Sequence, residues 1–376
     1  MTTHPFSNNS IIESLISQAY KNAQSQIEGW QNTRIKIAIA GMSGAGKSSL
    51  INAILNQKIA PVGVIETTVE AKSYDSEHGI TFVDLPGCGT TQFPFDSYIQ
   101  KTNLASFDAI ILVTSNRFYE NDVQLYAQII QQLNIPCFVV RSKIDLAIND
   151  GLEDNGLTTE QVCQMVTDNI YQNLKPHRPK KVYLVSNRYR QEYDLQCLID
   201  DICLSLEGLK SAKFKAESAA YSKKAIYSKR KVIEEIAFHY AISAAINGLN
   251  PVPALNVSVD AGILLSMSQH ILRFYGLTEQ QMEHFMGAKQ QKVQLQALKQ
   301  GILRWSAQFL AKESILLILK RLSTKLASKT LASWIPMVGQ IVSAGIGFKM
   351  TISFATELID ESEKKSLELL QTLLEN

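Results

Sequence analysis

The chain has 376 residues, a length that exceeds one ordinary compact domain and favours two. Hydrophobic residues make up 45% of it and charged residues 19%, a balance typical of a globular protein with a large core. The formal net charge of +2 gives no overall electrostatic bias, so nucleic acid is not an expected partner.

The first predicted element is a helix over residues 10–30, where apolar side chains recur at helical spacing. Short apolar strands then alternate with helices as far as residue 208. The strands are predicted at Ile35–Ala40, Val69–Tyr74, Ile80–Val83, Ala109–Val113, Cys137–Val140 and Val182–Val185, and the helices at Ser48–Asn56 and at residues 97–106, 121–133, 158–174 and 194–207. Strands this apolar are typical of a parallel sheet with helices on both faces. The pattern predicts a doubly wound, mostly parallel α/β domain over residues 34–208.

Beyond Gly208 no strand pattern is visible, and the rest of the chain is predicted to be all helical. A basic stretch opens this half. Its members are Lys210, Lys213, Lys215, Lys223, Lys224, Lys229, Arg230 and Lys231. A solvated helix face is favoured over a strip that binds phosphate or lipid.

Two segments of this half are long and uncharged, Tyr240–Val259 and Thr330–Phe348. Each approaches the ~20 residues that span a bilayer, but Pro251 and Pro336 interrupt them. Buried core helices are the favoured interpretation, membrane-contacting helices the second, and true membrane spans the third.

The strongest motif is the segment Gly41–Ser48, which fits the pattern G-x-x-x-x-G-K-S/T between a predicted strand and a predicted helix. In such a loop, backbone N–H groups converge on phosphate oxygens at a helix N-terminus. Lys47 is expected to reach the β and γ phosphates, and the Ser48 hydroxyl to bind Mg²⁺. The nucleotide-binding residues predicted here are Gly41, Ser43, Gly44, Ala45, Gly46, Lys47, Ser48 and Ser49.

A second motif, Asp84–Gly87, directly follows a predicted strand. Asp84 is expected to hold Mg²⁺ through water, and the Gly87 N–H to sense the γ phosphate. Between the two motifs, Thr67 or Thr68 is expected to coordinate Mg²⁺ and close over the γ phosphate, with Thr68 favoured. The predicted metal ligands are therefore Ser48, Thr68 and Asp84, and the predicted catalytic residues are Lys47, Ser48, Thr68 and Gly87.

The third motif, Ser142–Asp145, follows a predicted strand at the edge where such sheets bind ligands. The Asp145 carboxylate is expected to accept two hydrogen bonds from guanine N1 and N2, which adenine cannot supply. Lys143 is expected to pack along the ring plane, and the backbone of Ser186 and Asn187 to meet the guanine O6. A protein that uses ATP is therefore ranked far below one that uses GTP.

One residue of the small GTPases is missing. Those of the Ras type place a glutamine directly after Asp-x-x-Gly to orient the attacking water. Cys88 holds that position here, and the nearest glutamine is Gln92. We therefore expect slow intrinsic GTP hydrolysis, with the missing element supplied by a partner or by a second copy of the chain.

The five cysteines form no Cys-x-x-Cys pair, so neither a zinc site nor a disulfide framework is expected. Neither a signal peptide nor a lipidation motif is visible at the ends of the sequence. We expect reduced thiols in a cytoplasmic chain without a covalent lipid anchor.

In these motifs the chain resembles the immunity-related GTPases of the dynamin-like superfamily. The similar stretches are Asp84–Tyr98, Gly63–Thr68, Val185–Asp194 and, more weakly, Ile246–Leu264. Lys47 matches the members that carry the ordinary Gly-Lys-Ser loop. A bacterial relative of the family is equally compatible.

The resemblance implies a GTPase domain and a helical domain in which residues 1–33 pack with residues 209–376. It implies binding of GTP or GDP with Mg²⁺, nucleotide-dependent dimerisation through the GTPase domains, and peripheral association with intracellular membranes. In that family hydrolysis is promoted across the dimer, which suits Cys88. The alternative is a soluble regulatory switch whose helical domain binds a protein effector, without membrane action.

Overall fold

The structure is a computed structural model that describes residues 7–62, 71–116, 120–247, 260–330 and 339–375. The chain divides into two compact units. One unit, here called the sheet unit, covers residues 33–225. The other, here called the helical unit, combines the residues up to Asn32 with those from Ile226 onward.

A six-stranded sheet forms the centre of the sheet unit as far as the chain is described. Its strands are β1 (Ile35–Ala40), β2 (Lys72–Asp75), β3 (Ile80–Asp84), β4 (Ala109–Thr114), β5 (Cys137–Arg141) and β6 (Val182–Leu184). The spatial order is β2-β3-β1-β4-β5-β6, and neighbours are parallel except for the antiparallel pair β2–β3. All six residues of β4 are buried, which requires cover on both faces of the sheet.

The helices, in chain order, are α1 (Ser7–Asn32), α2 (Lys47–Leu55), α3 (Phe95–Lys101), α4 (Glu120–Gln132), α5 (Ile144–Asn155), α6 (Thr159–Asn173), α7 (Leu195–Ser205), α8 (Gly208–Glu217), α9 (Lys223–Asn247), α10 (Ala261–Phe274), α11 (Glu279–Met286), α12 (Val293–Ala307), α13 (Lys312–Thr330) and α14 (Gly339–Glu375). Two short 3₁₀ turns lie at Leu104–Ser106 and Gly287–Gln291. The predicted fold class, a doubly wound α/β domain followed by an all-helical part, is confirmed.

Three details of the predicted elements need correction. The helix predicted over residues 97–106 ends at Lys101, because Asn103 adopts a left-handed backbone with φ of 48° before the 3₁₀ turn. Helix α5 was not predicted, since Gly151 and several acidic residues weaken its helical pattern. Strand β2 begins at Lys72, and residues 69 and 70 of the predicted strand lie outside the described residues.

The sheet unit continues past Gly208, where the sequence placed a domain boundary, because α8 packs back onto α7. Phe214 of α8 is fully buried. Lys210 forms an ion pair with Asp108 at the start of β4, with Nζ to Oδ1 at 2.5 Å. The assignment of residues 209–376 to one helical domain therefore remains a prediction.

The basic stretch is not a uniformly solvated face. Lys213 is only 2% exposed and its Nζ donates to the Thr33 carbonyl at 2.9 Å. Lys229 is likewise buried and its Nζ donates to the Phe274 carbonyl at 2.7 Å. The favoured interpretation is wrong for these two lysines, whose ammonium groups are satisfied inside the fold by backbone oxygens.

In the helical unit, α1 contacts a helix from the second half of the chain. Trp30 of α1 meets Phe274 of α10 edge-on, with ring centroids 5.9 Å apart. Arg230 of α9 donates to Asp360 of α14 at 2.5 Å and lies 3.4 Å from Glu363 of the same helix. Helices α10, α12 and α13 also pack against α14.

Residues 248–259 of the first uncharged segment and residues 331–338 of the second lie outside the described part of the chain. Among the helices that are described, none is both long enough and apolar enough to cross a bilayer.

Candidate nucleotide-binding site

The loop between β1 and α2 has a backbone that only glycine adopts easily. Gly41, Gly44 and Gly46 have φ angles of 140°, 77° and 87°. A Cβ atom at Gly41 would lie 2.0 Å from the Val113 carbonyl oxygen, so any side chain there would clash with β4. The loop is therefore held against the carboxyl edge of the sheet, as expected for a phosphate-binding loop.

Lys47, the first residue of α2, is buried over this loop. Its Nζ donates to the carbonyls of Gly41 at 2.9 Å and Met42 at 3.2 Å. The same Nζ lies 3.5 Å from Asp84 Oδ1. Asp84 ends β3 and is opposite Ile39 in the parallel pair β1–β3, so the sheet itself brings the first two motifs together.

The residues around Lys47 fit Mg²⁺. Ser48 lies in the first turn of α2, and the buried Asp84 carboxylate lies beside Lys47. Hydroxyl and carboxylate oxygens are the ligands that Mg²⁺ prefers, completed by water and phosphate oxygens. Thr67 and Thr68 lie outside the described residues, so the structure does not place the predicted third ligand.

The segment after Asp84 is fastened by two side chains that sequence reasoning gave no role. The Tyr98 hydroxyl donates to the Pro86 carbonyl at 2.7 Å, and Asn121 Nδ2 donates to the Cys88 carbonyl at 3.1 Å. Gly87, between them, is exposed. Burial raises the pKa of the Cys88 thiol to about 12, so this side chain is protonated at neutral pH.

The third motif, Ser142–Asp145 and here called the guanine motif, packs directly on the phosphate-binding loop Gly41–Ser48. The Ser142 hydroxyl donates to the Ala45 carbonyl at 2.5 Å. Lys143 has a left-handed backbone with φ of 53° and is exposed, and Asp145 follows it in the first turn of α5. The turn sets this carboxylate at the carboxyl edge of the sheet, partly open to solvent.

The segment after β6 reaches the same loop. Asn187 Nδ2 donates to the Gly46 carbonyl at 3.4 Å, while its buried Oδ1 accepts no hydrogen bond from the described residues. The Ser186 hydroxyl accepts from the N–H groups of Arg188 and Tyr189, so it shapes the turn. The roles of Ser186 and Asn187 toward guanine stay predictions.

Arg141 is a site residue that sequence reasoning missed. It is buried at the end of β5 and donates to the carbonyls of Ser115 and Ser142, which ties the guanine motif to the end of β4. Burial lowers the pKa of Arg141 to about 10, so the guanidinium stays charged at neutral pH. The sequence signal that could have identified Arg141 is its position as the one charged residue at the end of the otherwise apolar strand Cys137–Arg141.

Comparisons with known proteins then relate the chain to a family. The sequence model of the family described as Interferon-inducible GTPase (IIGP) matches residues 7–372. Interferon-inducible GTPase 5 of Rattus norvegicus is 24% identical over 373 residues, covering 95% of this chain and 80% of the relative.

Other relatives match shorter regions. Interferon-inducible GTPase 1 of Mus musculus is 26% identical over 276 residues, covering 70% of this chain and 64% of the relative. Immunity-related GTPase family M protein 3 of Mus musculus is 33% identical over 171 residues, covering 43% of this chain and 39% of the relative. The resemblance to immunity-related GTPases is thus confirmed, and guanine-nucleotide binding with it. The chain belongs to the interferon-inducible GTPase family.

Proposed function

We propose that this chain binds GTP at the loop Gly41–Ser48 and hydrolyses it to GDP and phosphate. The observation that carries the proposal is the meeting of three separate motifs at one loop. Lys47 lies 3.5 Å from Asp84, Ser142 donates to the Ala45 carbonyl, and Asn187 donates to the Gly46 carbonyl.

Each residue then has one task. The backbone N–H groups of the loop and the Lys47 ammonium bind the β and γ phosphates. Ser48, Asp84 and Thr68 would hold Mg²⁺, which supplies charge neutralisation at the phosphates when it is bound. The Gly87 N–H would bind the γ phosphate, and Asp145 would select guanine when the nucleotide is bound.

A Lys47→Ala variant tests the site. Loss of the ammonium is expected to weaken GTP binding by at least about 100-fold, because a charge-assisted contact to phosphate is lost in a buried setting. Lys58→Ala, an exposed lysine just after α2, is the matched control. Titration with a fluorescent GTP analogue measures both, and equal affinities of the two variants would contradict the assignment.

Hydrolysis is proposed to depend on self-association. Cys88 occupies the position at which Ras-type GTPases carry a glutamine that orients the attacking water. Its buried, protonated thiol is a poor substitute for that glutamine. A second copy of the chain is proposed to complete the site. The test is the GTP hydrolysis rate per molecule against protein concentration, which should rise. A flat, slow rate would indicate a separate activating protein instead.

Nucleotide-dependent membrane association is the remaining part of the proposal. It is supported by the uncharged segments Tyr240–Val259 and Thr330–Phe348 and by the resemblance to immunity-related GTPases. Co-sedimentation with liposomes should increase with a non-hydrolysable GTP analogue relative to GDP. Equal sedimentation in all nucleotide states would contradict it, and a compact monomer without lipid affinity would favour the soluble switch.

A further inference from the structure

Residues Ser218–Ser222, here called the connector, join α8 to α9 at the end of the sheet unit. The connector is bonded to the carboxyl end of α2, the helix that begins at Lys47. The Ala219 N–H donates to the Ile54 carbonyl at 2.8 Å, and the Tyr221 hydroxyl donates to the Ala53 carbonyl at 2.7 Å. Carbonyls in the last turn of a helix lack the usual donor four residues further on, so the connector caps the phosphate-binding helix. The Ala53 carbonyl also accepts from the Asn56 N–H at 3.3 Å.

The same tyrosine also reaches the guanine side of the site. Its hydroxyl shares a side-chain hydrogen bond with Arg190. Arg190 Nε donates in turn to the Asn187 carbonyl at 3.0 Å, and Asn187 Nδ2 donates to the Gly46 carbonyl. The contacts therefore form a closed ring that meets α2 at both ends, at Gly46 and at Ala53.

Tyr221 is suited to this double contact. A hydroxyl has one donor and two acceptor sites, so it can donate to Ala53 and accept from Arg190 at the same time. Tyr221 is only 3% exposed, and burial raises its pKa, which keeps the hydroxyl proton in place at neutral pH. The Tyr221 N–H donates to Gln196 Oε1 of α7 at 2.6 Å, which fixes the backbone as well.

We propose that Tyr221 is a positioning residue that holds the guanine loop Ser186–Arg190 in register with the phosphate-binding helix α2, and so links nucleotide binding to the connector. The proposal rests on the binding part of the proposed function and not on hydrolysis. One nucleotide must contact both the guanine loop and the phosphate loop. A site in which these two loops are already held in place binds it more tightly, because less ordering remains to be done on binding.

The link works in both directions. If the ring of contacts strengthens nucleotide binding, then bound nucleotide must strengthen the ring by the same factor. Bound GDP is therefore expected to slow hydrogen exchange at the Ala219 amide, whose partner is the Ile54 carbonyl. The connector leads directly into α9.

Tyr221→Phe in the full chain tests the proposal, since it removes only the hydroxyl. The matched control is Tyr183→Phe, which removes another largely buried hydroxyl of the sheet unit, bonded to Asp201 at 2.7 Å. Titration with fluorescent GDP and GTP analogues should show affinities weaker by about 5- to 10-fold for Tyr221→Phe, because more of the guanine loop must then be ordered on binding. Tyr183→Phe should stay within about twofold, since its hydroxyl lies outside the ring.

Arg190→Gln provides the second test. It breaks the same ring, so its loss of affinity should match that of Tyr221→Phe, and the double variant should lose little more than either one. Unchanged affinity in Tyr221→Phe, or losses that simply add, would overturn the proposal. Lys47→Ala distinguishes a failure of the positioning role from a failure of the proposed nucleotide site. If Lys47→Ala abolishes binding while Tyr221→Phe binds normally, only the positioning role is wrong. If Lys47→Ala also binds normally, both the proposed site and the positioning role are wrong.

Discussion

Asp145 stands in the first turn of α5, where a single carboxylate is proposed to choose the base. Asp145→Asn should weaken GTP binding by at least about 100-fold, because the amide presents a donor to the guanine N1 and N2 donors. The same change should improve binding of xanthosine triphosphate, whose base offers an acceptor instead.

Competition between the two nucleotides measures this preference. Asp150→Asn is the control, since it makes the same chemical change at an exposed position of the same helix. A preference for GTP over xanthosine triphosphate that survives in Asp145→Asn would show that another group selects the base.

The state of Cys88 leads to a second prediction. Thiolates are alkylated and thiols are not, and a pKa of about 12 leaves almost no Cys88 thiolate between pH 7 and pH 9. Iodoacetamide should therefore label the exposed Cys197 first and leave Cys88 unmodified across this range. Mass spectrometry of the labelled peptides reads this out, and early labelling of Cys88 would show that the segment opens.

At the same scale, sequence reasoning identified the residues whose chemistry is needed and missed those that hold them. Lys47, Asp84 and Ser142 stand in motifs whose spacing is set by the ligand, so one sequence is enough to find them. Arg141 and Arg190 act through backbone carbonyls, and a carbonyl is available at every position. No residue pattern marks such contacts before the fold is known.

Among the elements, two glycines inside helices should respond in opposite ways to the same substitution. A Cβ at Gly151 of α5 would lie 2.4 Å from Val162 Cγ2 of α6, whereas one at Gly301 of α12 would meet nothing within 4 Å. Gly301→Ala should stabilise by about 0.5–1 kcal/mol through helix propensity. Gly151→Ala should destabilise by about 1–3 kcal/mol through overpacking.

Scanning calorimetry of the full chain compares the two variants. Adding Val162→Ala removes the contacting methyl groups, so Gly151→Ala should cost less in that background than alone. An equal cost in both backgrounds would indicate that the backbone of α5, and not its contact with α6, is what the substitution disturbs.

The elements that the sequence predicts well are those with one dominant signal. Strand β1 matches the prediction at both ends because it is short, mostly apolar and bounded by Arg34 on one side and Gly41 on the other. Helix α5 carries no comparable signal, since its buried residues are limited to Ile144, Ile148 and Gly151. Its helical state comes from packing against α6, which is a tertiary effect and not a local one.

For the whole molecule, the end of the sheet unit can be tested by truncation. A chain of residues 33–225 keeps α8 and the connector, and we expect it to fold and to bind guanine nucleotide. A chain of residues 33–208 loses the buried Phe214 and the cap on the Ile54 carbonyl. Its melting temperature should be lower by about 10 °C or more, since a buried aromatic ring alone is worth several kcal/mol. Equal melting temperatures would place the boundary at residue 208 after all.

The contact between Trp30 and Phe274 has a consequence for how the protein is made. Helix α1 leaves the ribosome before α10, and the aromatic partner of Trp30 follows about 240 residues later, which is some tens of seconds at ordinary rates of synthesis. Throughout that interval the sheet unit can fold, but Trp30 lacks the Phe274 ring. The nascent chain therefore exposes more of the Trp30 ring until α10 emerges, and this is the stage at which we expect chaperones to bind it.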